Sequence, residues 1–538
     1  MEQKIHTQTI MSTPDTAGSF ALPRDPMFWS MSIILALLLV LVILFPLRVA
    51  GDIPLYVDLG GRVIDGQRPY IDFFDINPPT IYFFNIVPVL FSRLTGMHPI
   101  LTFDLFVWLI VTAVAANAGI LLSRASREGF LKTISPWTIS ALIALGAYLT
   151  WLLMVFGQRD HIFILALLAW SILRWYRYEG GRPPVGIAVF AGVLAAVGAS
   201  LKPTFAVAFA LVEIYGLLRY RRWRAYFTWE TFGVGIVVGL YGLYFIAQPE
   251  VLHNYLTEII PSVVAGYAGY GYVSAIILIF FVLPSLVLLL GSAILAVGGA
   301  LMHSPQGNLY IVMALVALSA VFSYALQTKG WLYHATPIIS MFFTIVYLLI
   351  SFFTARAKGR ALRRAKVYDR VMPFAIIGAC VFMLFQLSPL HNFGETRETE
   401  VEPYLAYSVA GDTVVAADLD IRAVSSGIVQ ERLKHVTSYP IAYPLAFVYP
   451  EEPAQSIFTP EHTPPALAQS YLDALMDDIR VKQPQLVLLR HGESLTGPEF
   501  IDVARYVKAH TDIEAVLAQD YTYHGVIADY EVYTQKSS

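Results

Sequence analysis

One pattern recurs along this chain: runs of predominantly apolar residues close to the ~20 needed to cross a hydrocarbon core of roughly 30 Å. They fall near residues 28–49, 98–121, 136–156, 162–178, 184–200, 204–218, 229–248, 273–301, 309–326, 335–354 and 371–390. In lipid a backbone must satisfy its own hydrogen bonds, so repeated runs of this kind read as helices. Composition agrees. Of 538 residues, 57% are hydrophobic and 14% charged, against roughly 25% charged in soluble domains. That argues against a water-soluble globular enzyme, and the apolar content excludes a disordered or fibrous chain. The first run, Met27–Leu44, is longer than the roughly 7–15 residues of a signal-peptide core and reads as a retained span. A single cysteine, Cys380, allows no intrachain disulfide.

Charge divides the chain. Residues 1–390 hold 26 Lys+Arg against 17 Asp+Glu, and residues 391–538 hold 10 against 22. That contrast implies a cytoplasmic tail over 1–27, a transmembrane domain over 28–390 and an acidic soluble domain over 391–538. Thr80–Leu94 is shorter, aromatic and interrupted by Pro88, and its placement sets the orientation of everything after it. If it does not cross, the loops bearing Arg124, Arg127 and Lys132; Arg174, Arg177 and Arg182; Arg219–Arg224; and Arg356–Arg370 put 17 basic residues on the cytoplasmic side. The positive-inside rule therefore makes 80–94 a re-entrant or juxtamembrane segment, with about eleven spans, N-terminus in and C-terminus out. In the tail domain, Thr413–Ala417, Leu486–Leu489 and Val526–Tyr533 alternate like strands, while Pro465–Val481 and Glu499–His510 read as amphipathic helices. A small periplasmic α/β domain is expected.

This topology gathers polar groups from four distant loops at one membrane face. The outer loop 50–79 carries Asp52, Tyr56, Tyr70, Asp72 and Asp75. Gln158, Arg159, Asp160 and His161 follow the third span, Lys202 the fifth, and Lys329, Tyr333 and His334 the ninth. Ionisable side chains at span ends more often face a cavity than lipid. Arg159, Lys202, Lys329 and His334 suit an anionic lipid headgroup such as a phosphate. Asp52, Asp75 and Asp160 suit proton removal or binding of hydroxyls. Plainer readings stand beside these: Arg159 and Asp160 paired with one another, Lys202 snorkelling to the interface, and Trp331, Tyr333, Tyr267, Tyr270 and Tyr272 as an aromatic belt. Asp72, Asp75 and His161 lack a tight metal-ligand spacing, so a divalent metal is disfavoured and no cofactor is certain. Glu213 stands out as an ionisable residue within a span. Phosphate-binding glycine loops are absent, and nothing points to nucleic acid.

The loop residues Asp52, Tyr56, Gly66, Pro69, Tyr70, Asp72, Pro78 and Pro79, with Asp160 after the third span, resemble the GT-C superfamily of integral-membrane glycosyltransferases. Within it, the pattern is similar to that of protein O-mannosyltransferases and the lipid A aminoarabinose transferase. Two positions depart from it: Ile53 follows Asp52 where many relatives carry a second acid, and Asn77 precedes the Pro-Pro pair where a Lys is common. The resemblance implies a polyprenyl-phosphate sugar donor, an envelope glycan, lipid or protein acceptor, and an inverting reaction at the periplasmic face of a bacterial cytoplasmic membrane. Asp52 and Asp160 are its expected catalytic acids, with Tyr56, Tyr70, Asp72, Asp75, Gln158, Arg159, His161, Lys202, Lys329, Tyr333 and His334 contacting substrate or membrane lipid. A flippase or transporter for lipid-linked sugars and a polysaccharide polymerase or ligase are the competing classes.

Overall fold

The computed structural model describes residues 25–47, 49, 51–132, 134–221, 226–266, 275–327, 331–354, 371–382, 406–449, 455–491 and 501–536. The tail over 1–24, the basic stretch 355–370, Tyr267, Tyr270 and Tyr272, residues 383–405 and Glu499 lie outside them.

Helices follow the apolar runs. In order they are α1 (Pro26–Leu44), α2 (Asp52–Ile64), α3 (Thr80–Thr95), α4 (Pro99–Arg127), α5 (Thr138–Leu152), α6 (Arg159–Tyr178), α7 (Val185–Ser200), α8 (Phe205–Tyr220), α9 (Trp229–Ala247), α10 (Pro249–Asn254), α11 (Ile260–Gly266), α12 (Ala275–Met302), α13 (Pro305–Gln327) and α14 (Thr336–Thr354). A further apolar helix, α15, spans Val371–Phe382. Local chemistry sets their ends. Asp25 caps α1 by accepting the Met27 amide at 2.9 Å ahead of Pro26, and His98 caps α4 ahead of Pro99, both with proline at the first turn where no N–H is needed. Among the described residues, six helical stretches are long and apolar enough to cross a membrane: α1, α4, α9, Val282–Met302 within α12, α13, and Leu332–Thr354.

The hub is α6. Every one of its 20 residues except Arg177 is buried, as expected for a helix enclosed on all sides, and α4, α7, α8, α13 and α14 pack around it. By contrast α9 leaves Val238, Leu240, Leu243 and Ile246 exposed, an apolar outer wall. Charges within the helices are more numerous than Glu213 alone. Arg174 and Glu230 are wholly buried, and Arg174 bonds Glu213 at 2.8 Å and Glu230 at 3.2 Å. Asp104 of α4 is buried with neither carboxylate oxygen hydrogen-bonded among the described residues.

The outer loop is not irregular throughout, since its first part is helix α2. Nor does Pro88 interrupt the next segment, which is helical from Thr80 to Thr95 with Pro88 inside it. That helix ends at Gly96, whose φ of 72° only glycine adopts without strain.

Beyond the helices lies a five-stranded sheet, ordered β2-β1-β3-β5-β4. Its strands are β1 (Thr413–Ala417), β2 (Lys434–His435), β3 (Leu486–Arg490), β4 (Tyr521–Ile527) and β5 (Tyr530–Gln535). β1 runs parallel to β2 and β3, and β5 lies antiparallel between β3 and β4. The expected single strand over Val526–Tyr533 is instead two strands around a turn. Ala528 and Asp529 there have φ of 47° and 67°, the paired left-handed conformation of a tight hairpin. α16 (Ile421–Gln430), α17 (Tyr443–Val448), α18 (Ala466–Lys482), α19 (Val503–His510) and α20 (Ile513–Asp520) complete this part. Alternate strand residues face opposite ways. Val415, Ala417, Val487 and Leu489 join the apolar core that runs on into the helices, while Val414, Ala416, Leu486 and Leu488 form a second cluster with Tyr530 and Val532.

That shared core is reinforced by polar contacts to the outer loop. Arg62 of α2 bonds Asp58 at 3.0 Å and the Thr437 carbonyl at 2.8 Å. The Phe74 amide donates to the Ser438 carbonyl at 2.8 Å, and Arg432 reaches the Gly96 carbonyl at 3.3 Å. Chain just before α3 and chain just after it thus touch the same α/β unit.

Candidate active site

Asp52 is the first residue of α2, where a carboxylate is favoured by the exposed amides and dipole of the helix start. It is half-buried, and among the described residues no group hydrogen-bonds its carboxylate. Burial raises its pKa above the ordinary carboxylate value. Arg159 and Lys202 oppose that rise, while Asp75 and Asp160 add to it. Four acids and bases from three separate segments therefore lie within electrostatic reach of Asp52.

Asp160, the second residue of α6, is wholly buried and fully engaged. Its Oδ2 accepts Lys202 Nζ at 2.7 Å, and its Oδ1 accepts Gln327 Nε2 at 2.9 Å. Lys202 lies between α7 and α8 and also bonds the Gln327 amide oxygen. The rings of Phe205 and Tyr333 sit 5.3 and 5.4 Å from its ammonium. Burial pulls the Lys202 pKa down to about 8, against the attraction of Asp160.

Arg159 does not pair with Asp160. Its guanidinium lies over the Tyr56 ring at 5.3 Å and bonds the Asn77 side-chain oxygen. Asn77 in turn donates to Asp75 Oδ2 at 2.9 Å, and the Tyr82 hydroxyl donates to the same oxygen. Asp75 is buried, with its pKa raised by that burial, and organises the loop. Tyr70 takes a left-handed φ of 65°. It is held there by its amide on the Phe73 carbonyl, its hydroxyl on the Asn77 carbonyl and its ring stacked 5.0 Å from Tyr255. Asp72 lies apart from this cluster: it is partly exposed, accepting from Arg68 in a surface turn.

The remaining expected residues cluster less tightly. His161 is buried and accepts the Gly157 amide at 3.0 Å through Nδ1, and its Nε2 has no hydrogen-bond partner among the described residues. Gln158, also buried, has neither amide atom hydrogen-bonded there. His334 is buried in the turn Leu332–Ala335, its ring 4.3 Å from that of Tyr333. Lys329 lies outside the described residues. Two contributors escaped the sequence reading. Asn77 stood out only as a departure from a pattern, and Gln327, the last residue of α13, was given no role.

These features define a multi-pass membrane protein with a cluster of acidic and basic side chains where helix ends meet. Among the described residues it includes the Asp52 carboxylate without a hydrogen bond, the cations Arg159 and Lys202, and the buried Asp160 bonded to Lys202. No group of three or more metal-ligating side chains occurs among the described residues.

The fold is similar to that of a solved membrane protein. The chain aligns with the crystal structure of ArnT from Cupriavidus metallidurans bound to undecaprenyl phosphate over 96% of its own length and 99% of that chain, with a TM-score of 0.56 and 12% identity. The apo form of the same ArnT aligns at a TM-score of 0.48 and 12% identity, covering 94% of this chain and 97% of that one. An oligosaccharyltransferase from Archaeoglobus fulgidus, tethered to an acceptor peptide, aligns at 0.44 and 11%, covering 96% and 74%. By sequence, no protein-family description and no curated protein matches the chain.

Proposed function

We propose that the protein transfers a sugar from a polyprenyl-phosphate donor to an envelope glycan, lipid or protein, as an inverting glycosyltransferase. The observation that carries this reading is the Asp52 carboxylate, with no hydrogen bond among the described residues, within electrostatic reach of Arg159 and Lys202. Asp52 takes the proton from the acceptor hydroxyl, and that oxygen forms its bond to the anomeric carbon. The bond from the anomeric carbon to the phosphate oxygen breaks, and its electron pair leaves with the phosphate. Arg159 and Lys202 stabilise the charge that develops there. A single displacement of this kind inverts the anomeric centre. Asp160, with both oxygens already bonded, holds Lys202 and leaves the base role to Asp52. The resemblance to GT-C enzymes and the shared fold with ArnT support a lipid-linked donor.

The same reading assigns 1–27 to the cytoplasm, 28–390 to a bacterial cytoplasmic membrane in about eleven spans, and 391–538 to the periplasmic side. Support comes from α3. The α/β unit contacts Phe74 just before it and Gly96 just after it, an arrangement suited to a juxtamembrane helix with both ends on one side.

The test is sugar transfer by purified protein in nanodiscs supplied with a polyprenyl-phosphate sugar. General-base catalysis contributes about 10²–10⁴-fold, so Asp52→Asn should lower turnover on that order while donor binding persists. Full turnover in Asp52→Asn with none in Asp160→Asn hands the base role to Asp160.

A further inference from the structure

Both cations of the pocket are oriented by amide oxygens: Arg159 by Asn77 and Lys202 by Gln327. The second case has the fuller geometry. Gln327 is the last residue of α13, far along the chain from α6 and from the loop bearing Lys202. Its Nε2 donates to Asp160 Oδ1 at 2.9 Å and to the Ser323 carbonyl at 3.1 Å. Its oxygen accepts from Lys202, which also bonds Asp160 Oδ2 at 2.7 Å. The three side chains close a ring of hydrogen bonds. A side-chain amide donates to a carboxylate with its nitrogen and accepts from an ammonium with its oxygen, and carries no charge while doing so.

We infer that Gln327 is a positioning residue for donor capture: its neutral amide fixes the Lys202 ammonium in place while leaving it balanced by one carboxylate, not two. This rests on the donor reading above and goes beyond it, because it assigns phosphate affinity to a residue that need not touch the phosphate. A glutamate at this position would still accept from Lys202. It would repel Asp160, cage the ammonium between two carboxylates and bring a negative charge beside the lipid phosphate. The other charged groups acting on Lys202 are Arg159 and Asp52, and the turn carrying Tyr333 and His334 packs alongside.

The experiment compares wild type, Gln327→Glu and the uncharged, similarly sized Gln327→Met as full-length protein in nanodiscs. Two quantities are read: the affinity for undecaprenyl phosphate, and the pH midpoint of Lys202 acetylation followed by mass spectrometry. An added carboxylate within ~4–6 Å raises a lysine pKa by roughly one unit or more. The expected result for Gln327→Glu is therefore a higher Lys202 midpoint together with roughly tenfold or greater loss of lipid affinity. That pairing distinguishes the role, since a merely structural Gln327 lowers affinity without raising the midpoint. Gln327→Met should weaken lipid binding with no rise in the midpoint. An unchanged midpoint in Gln327→Glu, or a raised one with wild-type affinity, overturns the inference, as does wild-type affinity in Gln327→Met. A wild-type chain that binds no lipid overturns the donor reading instead. The Lys202–Gln327 unit is then judged by the midpoint alone.

Discussion

Asp52 and Asp160 are the same residue type in one pocket, and their surroundings give them opposite chemistry. Asp160 accepts from Lys202 at 2.7 Å with one oxygen and from Gln327 with the other, so both its oxygens are already held. The Asp52 carboxylate has no hydrogen bond among the described residues, and burial raises its pKa. A raised pKa makes a stronger base, one that is competent only above that value. Turnover should therefore fall on the acid side at a pH above the ~3.9 of an ordinary aspartate. Lys202 sets the other limb. With a pKa near about 8, it is charged below that pH and neutral above it, so the donor KM should rise as pH passes about 8. Asp160→Asn removes the anion that favours the charged lysine, and the alkaline limb should then move to lower pH. Profiles of kcat and KM against pH for the wild type and Asp160→Asn check both statements. An alkaline limb that stays in place in Asp160→Asn would detach it from Lys202.

At the level of elements, the helices around α6 approach through glycines. A Cβ on Gly192 of α7 would lie 1.9 Å from the Glu230 carbonyl oxygen of α9, a backbone atom that cannot swing aside. Gly239 of α9 has open space around its Cα. Gly192→Ala must push α7 and α9 apart and strain the Arg174–Glu230–Arg177 network built at that contact. Overpacking of this sort costs about 1–3 kcal/mol, whereas Gly239→Ala should be neutral or slightly stabilising through helix propensity. Thermal unfolding in detergent should show a lowered midpoint for Gly192→Ala alone. Equal midpoints in the two variants would mean that α7 and α9 adjust freely.

For the whole molecule, the question is how firmly the α/β unit is seated on α2. Arg62 pins it by bonding Asp58 on its own helix and the Thr437 carbonyl across the interface. His435 approaches Asp58 at 3.5 Å from the sheet side. Burial works against the Asp58 charge, but Arg62 and His435 outweigh it and hold its carboxyl below the ordinary range. Removing one member of a buried ion pair costs about 3–5 kcal/mol. Arg62→Ala should thus loosen the seat and speed proteolysis of the α/β unit, with the helices still folded. Cleavage at the wild-type rate would show that the shared apolar core suffices. Orientation has its own check: reporter fusions at Arg222 and Arg360 should read as cytoplasmic, and fusions after Asn392 as periplasmic. A cytoplasmic reading after Asn392 would place α3 across the membrane.

What the sequence determined by itself was the helical membrane class, nearly every apolar helix, two of the strands and the set of loops that supply the pocket. Those features depend on hydropathy and charge within one stretch of chain, and local composition records them directly. The helix α2 inside the outer loop was missed because its polar face, with Asp58 and Arg62, is satisfied by partners that include the distant segment around Thr437. The hairpin within Val526–Tyr533 was missed because its turn uses Ala528 and Asp529, not glycine. Roles within the pocket lay further out of reach. That Asp160 meets Lys202 and Gln327, that Arg159 turns to Asn77, and that Asp72 stays at the surface are decided by which helix ends converge. A carboxylate's chemistry is set by its desolvation and its neighbours, and those neighbours include Arg159 and Lys202 for Asp52 and Gln327 for Asp160, each more than one hundred residues away in sequence, which only the tertiary packing around α6 brings together.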